Sequence, residues 1–523
     1  MENGEETRIV SFNVNGLLSF MKRRGYNEQT FPSLLENICT GKDGSRGESS
    51  VDKPEIICIQ ECKMSINEDL NCNIGCPKGY DSYFSLTKNN KRYSGVATYV
   101  SNTSILSVIE SADGFSWVRK SPRLFDLESN MKDCDISRID EEISRISDIL
   151  DYSIEEVDLE GRCMITDHKQ FVVLNLYFPL LREMSEEAGV DENCESNLPN
   201  NNVDLSRLKY RLAFHEYLFL SLRTIVEYSK RKVLLLGDFN VVLNSIDSYC
   251  ATLSASAPAK HGEDNRTALT ENSKMESISK PLSSSLILKL ESSGEIYTQI
   301  KEQVLHLISY FNLSDVYRRL HPNEKFKYTC WNQVNQLRCK NQGNRIDLFL
   351  LSSDLFESLV SKCEILNHVY GSDHCPVVLY LSNNKVKSMF SSALDNLEKT
   401  NPAPSLCSKY LPQCKQRQSS IHSFLLNESG EKKGTVKVVN KCNKKPTKNA
   451  SVPFCKHNIS CKRKTVSKAG KNKGRIYWVC SKSEHDKCDA FIWEDQHNPS
   501  KKQDISNFVV LNKKKVTKPL LYH

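Results

Sequence analysis

Several short apolar runs of the chain end in side chains that can bind a cation or move a proton. Asn13 ends one run, Glu61 another and Asp238 a third, while Asp373 and His374 precede a further run. Oxygen donors of this kind hold Mg²⁺ or Mn²⁺, which neutralises charge on phosphoryl oxygens. Water can attack phosphorus if a carboxylate accepts its proton, and an imidazole held by a second carboxylate stabilises the developing charge. The residue types predict metal-assisted hydrolysis of a phosphodiester.

The motifs differ in specificity. GDFN at residues 237–240 could be an ordinary strand-ending turn, and Glu61 could be an exposed charge at the end of a strand. GSDHCP at residues 371–376 is harder to explain in this way, because an adjacent Asp and His before a buried strand need a charge-balancing partner. The combination therefore indicates a site more strongly than any one motif.

These side chains must be positioned by strands. Apolar runs typical of strands buried on both faces occupy residues 8–13, 55–61, 171–177, 232–238, 345–351 and 375–381. Leucines at near-helical spacing predict a helix over residues 207–228. The pattern predicts an α/β body whose strand ends meet at one edge. Polar segments near residues 42–52, 185–204 and 252–285 are predicted to be surface insertions.

Length and composition limit the class of protein. With 523 residues, 39% of them hydrophobic, the chain can form one large catalytic domain plus appendages. It has no signal-peptide pattern at its start and no run of about 18 apolar residues, so we expect neither secretion nor a membrane partner. The 20 cysteines are mostly scattered singly and are predicted to be reduced thiols.

Charge and composition divide the chain. Residues 385–523 hold 29 Lys or Arg against 10 Asp or Glu, a net charge of +19, whereas residues 1–384 carry −12. A basic tail on an acidic body indicates attraction to a polyanion. We predict a catalytic domain over residues 1–384, a flexible linker over 385–450, a small metal-binding domain over 451–497 and a basic tail over 498–523.

The small domain contains a candidate zinc site. Cys455, His457, Cys480 and Cys488 provide three thiols and an imidazole, enough for a closed tetrahedral Zn²⁺ site, and Cys461 is a rival ligand. The site is therefore predicted to be structural.

Basic and aromatic residues interleave around this predicted metal. Arg475, Tyr477 and Trp478 lie between the ligand pairs, and such a surface can track phosphates while stacking unpaired bases. The arrangement resembles the GRF-type zinc finger, and that family implies binding of single-stranded DNA.

Six motifs in order along residues 6–383 resemble the exonuclease III-like endonuclease/exonuclease/phosphatase family. They are FNVNG (12–16), IQECK (59–63), NLYFP (175–179), GDFN (237–240), RID (345–347) and GSDH (371–374). The resemblance implies a four-layer α/β fold, in which a two-sheet β-sandwich is flanked by helices and the site lies at one end of the sandwich.

The resemblance also implies residue roles. Asp238 would position and deprotonate the water, and Asn240 would contact the phosphate. His374 would face the scissile phosphate while Asp347 orients it. Tyr177 would donate a hydrogen bond to a phosphate oxygen or a substrate-side group. The residues that the resemblance places at the metal site are Asn13, Glu61, Asp238, Asn240, Asp373 and His374.

Further strings, including YSGVATY (93–99), LEGR (159–162) and DVYRRLHP (315–322), are similar to a eukaryotic branch of that family, the type 2 apurinic/apyrimidinic endonucleases. Cys330 and Asn344 replace the pocket aromatics of the better-known abasic endonuclease branch, leaving less apolar wall around a flipped-out sugar. We therefore expect 3′-end trimming to outweigh abasic-site incision. Leu180 replaces a residue that is usually polar, so a phosphate contact is expected to be missing.

The predicted linker contains a candidate partner motif. Gln418, Ile421, Phe424 and Leu425 look like a PCNA-interacting peptide, although such patterns also arise by chance in linkers. Basic runs at residues 444–448 and 513–515 fit either nuclear-import signals or solvated charge.

The whole sequence predicts a nuclear DNA-repair nuclease, with mitochondria as a second location. We expect a Mg²⁺-dependent 3′-5′ exonuclease and 3′-phosphodiesterase with weaker abasic-site endonuclease activity in base excision repair. Its substrate would be double-stranded DNA with abasic sites or damaged 3′ ends. Two alternatives remain, a scaffold that binds the sliding clamp and single-stranded DNA, and another phosphodiesterase of the superfamily, such as an inositol-phosphate phosphatase or an RNA deadenylase.

Overall fold

The structure is a computed structural model. It describes residues 6–40, 53–89, 91–120, 131–181, 204–256, 293–333, 336–394 and 404–414, and, in the C-terminal part, 453, 455–457, 459–466, 472, 474–482, 488 and 491–493. The chain divides into an N-terminal unit, Met1–Ser419, and a C-terminal unit, Ser420–His523. The candidate PCNA-interacting peptide, the basic tail and the basic runs lie outside the described residues.

The first sheet of the N-terminal unit has six strands in the order β11-β12-β1-β2-β4-β3. Strand β1 lies in its middle, parallel to β2 and antiparallel to β12. These strands are β1 (Glu6–Asn13), β2 (Ile56–Gln60), β3 (Tyr80–Ser85), β4 (Val96–Ser101), β11 (Val360–Ile365) and β12 (Val377–Ser382). Because β1 and β2 are parallel, Asn13 and Glu61 emerge at the same edge.

The second sheet also has six strands, in the order β5-β6-β7-β8-β10-β9. Strands β7 and β8 are parallel, and β10 runs antiparallel to β8. The strands are β5 (Glu110–Asp113), β6 (Cys163–Asp167), β7 (Phe171–Tyr177), β8 (Lys232–Asp238), β9 (Leu313–Asp315) and β10 (Asp347–Ser352). This pairing brings the end of β7, the end of β8 and the start of β10 together.

The two sheets pack face to face. Ile9 and Ile56 from the first sheet share one buried core with Val173, Leu234 and Phe349 from the second. A polar contact also crosses this interior. The side chain of Gln60 donates to Asn175 Oδ1 at 2.8 Å, and Asn175 Nδ2 donates to the Ala97 carbonyl at 2.9 Å. Burial without a partner would be costly for either amide, so these contacts favour one alignment of the sheets.

Helices cover both outer faces, which completes a four-layer α/β sandwich. The outer core of the first sheet includes Phe20 from α1 and Phe31 from α2, and that of the second includes Ile143 from α5 and Phe214 from α7. The helices are α1 (Leu17–Arg23), α2 (Phe31–Glu36), α3 (Cys72–Gly75), α4 (Trp117–Lys120), α5 (Asp133–Leu150), α6 (Ile154–Asp158), α7 (Leu205–Arg223), α8 (Tyr249–Ser256), α9 (Ser293–Tyr310), α10 (Val316–Leu320), α11 (Ser353–Leu359) and α12 (Asn383–Leu394). The predicted fold class is confirmed.

The predicted strands correspond to β1, β2, β7, β8, β10 and β12, and all have mostly buried residues on both faces. The predicted helix over residues 207–228 is α7 followed by one π-helical turn, Thr224–Tyr228. Six further strands of the sandwich were not predicted, most of them because their sequences are short or polar, although β4 (Val96–Ser101) is buried along its whole length.

The first part of the predicted linker is folded, which corrects both its start and the domain end at residue 384. Helix α12 extends to Leu394 and buries Val386 and Phe390 on one face. Residues 404–414, called here the docked segment, contact β3 through a bridge between Cys407 and Tyr83. These contacts were not predictable from composition, because a few apolar residues among Pro, Ser and Lys are enough to dock a segment.

The C-terminal unit contains a three-stranded antiparallel sheet in the order β13-β14-β15. Its strands are β13 (Lys462–Thr465), β14 (Ile476–Val479) and β15 (Phe491–Trp493). Within the described residues, no helix of either unit has the length and apolar character needed to cross a membrane.

Candidate active site and zinc site

The strand ends of both sheets bring the predicted polar side chains together. Tyr177 at the end of β7 lies opposite Asp238 at the end of β8, and Asp238 lies opposite Asp347 at the start of β10. Gly237 permits this approach, because a Cβ there would lie 1.9 Å from the Leu176 carbonyl oxygen and the residue has φ of +130°. Three functional groups of the second sheet thus share one edge.

Asn13 links the two sheets at this edge. Its Nδ2 donates to Glu61 Oε1 at 3.1 Å and to Asp238 Oδ2 at 3.0 Å. Its Oδ1 accepts from the backbone N–H of Asn15 at 3.0 Å, which fixes the orientation of the amide. Asn13 is fully buried, so these contacts hold two carboxylates from different sheets in one place.

Glu61 is held as a carboxylate by its neighbours. Lys63 Nζ lies 2.7 Å from Glu61 Oε2, and the Tyr177 hydroxyl donates to Glu61 Oε1 at 2.7 Å. Burial raises the pKa of Glu61, but Lys63, Asn13 and Tyr177 outweigh this effect and leave the pKa below its ordinary value. Glu61 therefore provides a negative oxygen at neutral pH.

Asp373 is reached through Asn15. The Asn15 Nδ2 group donates to Asp373 Oδ1 at 3.0 Å, while Asn15 Oδ1 accepts from Lys63 Nζ at 2.5 Å. Asn15, Glu61, Lys63 and Asn240 all adopt positive φ between 49° and 51°. Such backbone costs of order 1 kcal/mol per non-glycine residue and persists where surrounding contacts enforce it, as at functional sites.

His374 and Asp347 form a buried pair. His374 Nδ1 lies 2.8 Å from Asp347 Oδ2, and His374 Nε2 lies 3.9 Å from Asp238 Oδ2. Burial lowers the pKa of His374, but the Asp347 carboxylate outweighs this and raises the pKa well above its ordinary value. Burial, followed by repulsion from Asp347, raises the pKa of Asp238 to about 7. The Asp347 carboxylate therefore favours the protonated form of His374, and the pKa of Asp238 lies near neutral pH.

Asn240 lies beside this group. Its backbone N–H donates to Asp238 Oδ1 at 2.9 Å, and its Nδ2 donates to the Phe178 carbonyl at 2.9 Å. The second N–H of the side-chain amide is left for another acceptor.

The donor set fits a hard divalent cation. Glu61, Asp373 and Asn13 offer oxygen atoms, and the Lys63 ammonium lies against both Glu61 and Asn15, which indicates that the cluster attracts positive charge. One ligand atom each of Asp238, Asp347 and His374 lie within 4.8 Å of one another. Among the described residues, neither Glu61 nor Asp373 belongs to a group of three potential metal ligands whose atoms all lie this close together. Amide and lysine side chains separate these two carboxylates from the other acids.

Three contributors to the site had no predicted role, Asn15, Lys63 and Arg338. Lys63 lies in the IQECK motif, so its charge next to Glu61 could have indicated a partner. Arg338 donates to the backbone carbonyls of Ser372, at 3.0 Å, and His374, at 3.2 Å, and so supports the segment that carries Asp373 and His374. Backbone acceptors leave no trace in sequence, which is why Arg338 was missed.

The residues that depart from the family pattern lie near the site. Cys330 forms isolated bridges with both Asn344 and His374. The side chain of Leu180, three residues after Tyr177, is 43% exposed. Neither Cys330 nor Leu180 supplies the aromatic or polar group that the pattern has at these positions.

The C-terminal unit brings the four predicted zinc ligands together. One ligand atom each of Cys455, His457, Cys480 and Cys488 lie within 4.8 Å of one another, and His457 Nδ1 is 3.5 Å from Cys480 Sγ. Cys461 is buried nearby but lies outside this group. Three thiols and an imidazole match a structural Zn²⁺ site.

The aromatic surface of the C-terminal unit differs from the prediction at Trp478. Only 8% of Trp478 is exposed, because it packs with the cysteines, whereas Tyr477 points to the opposite face of β14. On that face, Tyr477 stacks on Phe491 at 4.8 Å, and Arg475 lies 4.0 Å from the ring centre of Trp493. The burial of Trp478 disfavours its predicted contact with DNA, which stays a prediction, whereas on the opposite face the ring of Phe491 is exposed and that of Trp493 is partly exposed.

Comparisons with known proteins identify the families that the chain matches and several similar proteins. Residues 10–374 match the Endonuclease/Exonuclease/phosphatase family, and residues 453–497 match the GRF zinc finger. The chain is 26% identical over 430 residues to a Schizosaccharomyces pombe protein named DNA-(apurinic or apyrimidinic site) endonuclease 2, covering 82% of this chain and 67% of the relative. A Saccharomyces cerevisiae protein of the same name is 25% identical over 550 residues, covering 93% of this chain and 96% of the relative. Among solved structures, the Xenopus laevis APE2 catalytic domain has a TM-score of 0.48 and 22% identity, covering 79% of this chain and 99% of that one.

Proposed function

The chain belongs to the endonuclease/exonuclease/phosphatase family, and we propose that it is a divalent-metal-dependent DNA-repair nuclease. The observation that carries this proposal is the convergence of Asp238, Asp347 and His374, with Asn13 joining Asp238 to Glu61. A protein that only binds DNA has no need to bury two carboxylates beside an imidazole at one strand edge. The names of the similar yeast proteins support DNA as the substrate.

Glu61, Asp373 and Asn13 are the residues that would hold the metal, with Asp238, Asn240 and His374 bordering the same site. When bound, the cation would neutralise charge on the phosphoryl oxygens. Asp238, with its pKa raised to about 7, would accept the proton of a water molecule as the water oxygen bonds to phosphorus. The bond from phosphorus to the leaving oxygen breaks in the same displacement.

The remaining side chains would stabilise charge and orient the phosphate. His374, held by Asp347 through Nδ1, would present Nε2 to a phosphoryl oxygen, and the free N–H of Asn240 would donate to another. Tyr177 donates its hydroxyl hydrogen to Glu61, so its proposed contact with substrate requires that bond to be exchanged. Each of these groups lies at the shared edge of the second sheet or directly beside it.

We further propose that trimming of 3′ ends exceeds incision at abasic sites. Cys330 and Asn344 offer little apolar wall to a flipped-out sugar, and Leu180 is unable to hydrogen-bond a phosphate. The chain would thus have 3′-5′ exonuclease and 3′-phosphodiesterase activities and a weaker abasic-site endonuclease activity. Base excision repair and a nuclear location, with mitochondria as a second one, follow as part of the same proposal.

The decisive assay compares matched, mismatched, 3′-blocked and abasic duplexes with purified full chain in Mg²⁺ and in a chelator. We expect hydrolysis that requires the metal and is fastest on recessed 3′ ends. Asp238→Asn should reduce the rate by at least about 100-fold without unfolding the protein, because general-base catalysis contributes factors of that size. Metal-dependent cleavage of RNA or inositol phosphates at a higher rate would favour another phosphodiesterase, and no cleavage of any substrate would favour a scaffold.

In the C-terminal unit, we propose structural Zn²⁺ at Cys455, His457, Cys480 and Cys488. The face formed by Tyr477, Phe491 and Trp493, with Arg475 beside it, would bind single-stranded DNA. A Tyr477→Ala variant should weaken binding to a single-stranded oligonucleotide, whereas Trp478→Ala should instead destabilise the domain.

The peptide of Gln418, Ile421, Phe424 and Leu425 remains a proposed contact with the PCNA sliding clamp. Calorimetry with purified clamp and the full chain, wild type against Phe424→Ala, tests this contact directly. Equal heats for the two proteins would contradict it.

A further inference from the structure

The rim of the candidate active site presents one aromatic ring that the proposed mechanism does not use. Tyr370 lies immediately before the GSDH segment, and 63% of its surface is exposed, the largest fraction among the exposed large hydrophobic and aromatic side chains that the structure describes. The residues behind Tyr370 hold both its ring and its backbone.

The ring of Tyr370 rests on a cation. The guanidinium carbon of Arg338 lies 4.5 Å from the centre of the Tyr370 ring and 4.6 Å from that of Trp331. Trp331 is buried, so the three groups form a stack from the core to the surface with Tyr370 outermost. Such a stack orients the ring and leaves its outer face open.

The backbone around Tyr370 is fixed as well. Arg338 donates to the carbonyls of Asn367, at 2.9 Å, and Val369, at 2.7 Å, and Arg24 donates to that of Tyr370 at 3.4 Å. Arg23 donates to the Gly371 carbonyl at 2.6 Å. The ring of Tyr370 is therefore attached to the same hydrogen-bonded segment that carries His374.

The distance between Tyr370 and His374 is compatible with the spacing of nucleotides along a DNA strand. Tyr370 and His374 are four positions apart, so their Cα atoms are separated by at most about 14 Å. Successive nucleotides of duplex DNA are about 3.4 Å apart along the axis. A phosphate held at His374 would thus place bases within about four nucleotides of the scissile bond close to Tyr370.

We propose that Tyr370 is a stacking platform for an unpaired base of the substrate strand next to the scissile phosphate. This inference rests on the proposed nuclease function. A paired base has both faces covered by its neighbours in the duplex, whereas a frayed or mismatched base offers a free face to an aromatic ring. Tyr370 thereby gives the enzyme a preference for ends that are not fully paired.

The first test is kinetic. Tyr370→Ala should lower kcat/KM on a recessed end with a mismatched terminal base by about 5-fold to 150-fold, mainly through KM, since stacking contributes about 1–3 kcal/mol per base. The loss on the matched end should be several-fold smaller. Tyr370→Phe should restore the wild-type preference, because it keeps the ring.

The matched control is Tyr410→Ala. Tyr410 is also exposed and has a cation, Lys409, 5.6 Å from its ring, but it lies on the docked segment. Tyr410→Ala should leave the rates on both the matched and the mismatched end unchanged. Equal losses on matched and mismatched ends for Tyr370→Ala, or failure of Tyr370→Phe to restore the preference, would overturn the proposal.

A binding experiment separates this inference from the proposed function. The full chain with Asp238→Asn is mixed with DNA that carries fluorescent 2-aminopurine at each of the four positions next to a mismatched 3′ end. Stacking should quench one position, and adding Tyr370→Ala should remove that quenching. If wild type hydrolyses no DNA but the quenching persists, the nuclease proposal fails and the stacking proposal stands. If wild type hydrolyses DNA but no quenching depends on Tyr370, the stacking proposal fails and the nuclease proposal stands.

Discussion

The buried carboxylate of Asp347 offers a stringent test of the proposed chemistry. Asp347 is 1% exposed and contacts His374 Nδ1 at 2.8 Å, on the side of the imidazole away from Asp238. Asp347→Asn keeps the size of the side chain and an oxygen that can accept the hydrogen bond. The variant therefore removes one negative charge with little change in shape.

The size of the effect follows from the position of that charge. A carboxylate about 4 Å from the centre of an imidazolium contributes about 4 kcal/mol at an effective dielectric constant of about 20. In Asp347→Asn, the remaining hydrogen bond preserves part of this stabilisation of the imidazolium, so we expect kcat to fall by about 10²-fold to 10³-fold. KM should change little, because the imidazole of His374 separates Asp347 from the substrate.

The assay is single-turnover cleavage of a recessed 3′ end in saturating Mg²⁺, with thermal unfolding measured in parallel. Asp158→Asn is the matched control, since Asp158 is 4% exposed and accepts backbone N–H groups from Phe115 at 2.7 Å and Ser116 at 2.8 Å, away from the candidate active site. It should retain wild-type kcat. The reasoning is refuted if folded Asp347→Asn retains kcat within about threefold of wild type, or if both variants lose activity equally.

Three further predictions concern stability. Burial lowers the pKa of His168 to about 4, from an ordinary value near 6.5, so its contribution to the free energy of unfolding should be intact above pH ~6.5 and decline by about 3 kcal/mol towards pH 4. Urea unfolding at pH 7 and pH 4.5 should show this loss of unfolding free energy in wild type, and His168→Gln should lack it. Removal of Zn²⁺ with a chelator should unfold the small sheet, seen as a red shift in tryptophan emission, while the melting of the N-terminal unit stays unchanged. A chain ending at residue 400 should lose about 2–4 kcal/mol of stability against one ending at residue 419, because Cys407 and Cys414 leave the core; equal urea midpoints would contradict this.

The strand ends were predictable because two local signals coincide there. Phe171–Tyr177 and Lys232–Asp238 were predicted at the bounds that β7 and β8 have, since a buried strand requires an apolar run and its end admits polar residues. The opposite faces of Tyr477 and Trp478 could also have been predicted from the alternation of a strand. The docked segment was missed because its few buried residues are scattered through a polar sequence.

Contacts between distant segments were beyond sequence reasoning. Asn13 touches Asp238 across 225 positions, and Arg338 binds backbone carbonyls 29 to 36 positions away. Backbone acceptors are the same at every residue, so no pattern marks them. Only the structure places Arg338 and Trp331 behind the exposed ring of Tyr370, because neither residue is near it in the sequence.

The amino-acid sequence by itself determined which chemical groups this protein can use, a set of oxygen donors with one histidine in one region and three thiols with one histidine in another. Periodicity and strand ends also determined the fold class, because burial and hydrogen bonding act locally. Only the tertiary structure decided which acid faces which base, which charges are buried and which aromatic rings stay exposed. Those properties depend on the alignment of two sheets, and alignment is set by packing between residues far apart in the chain.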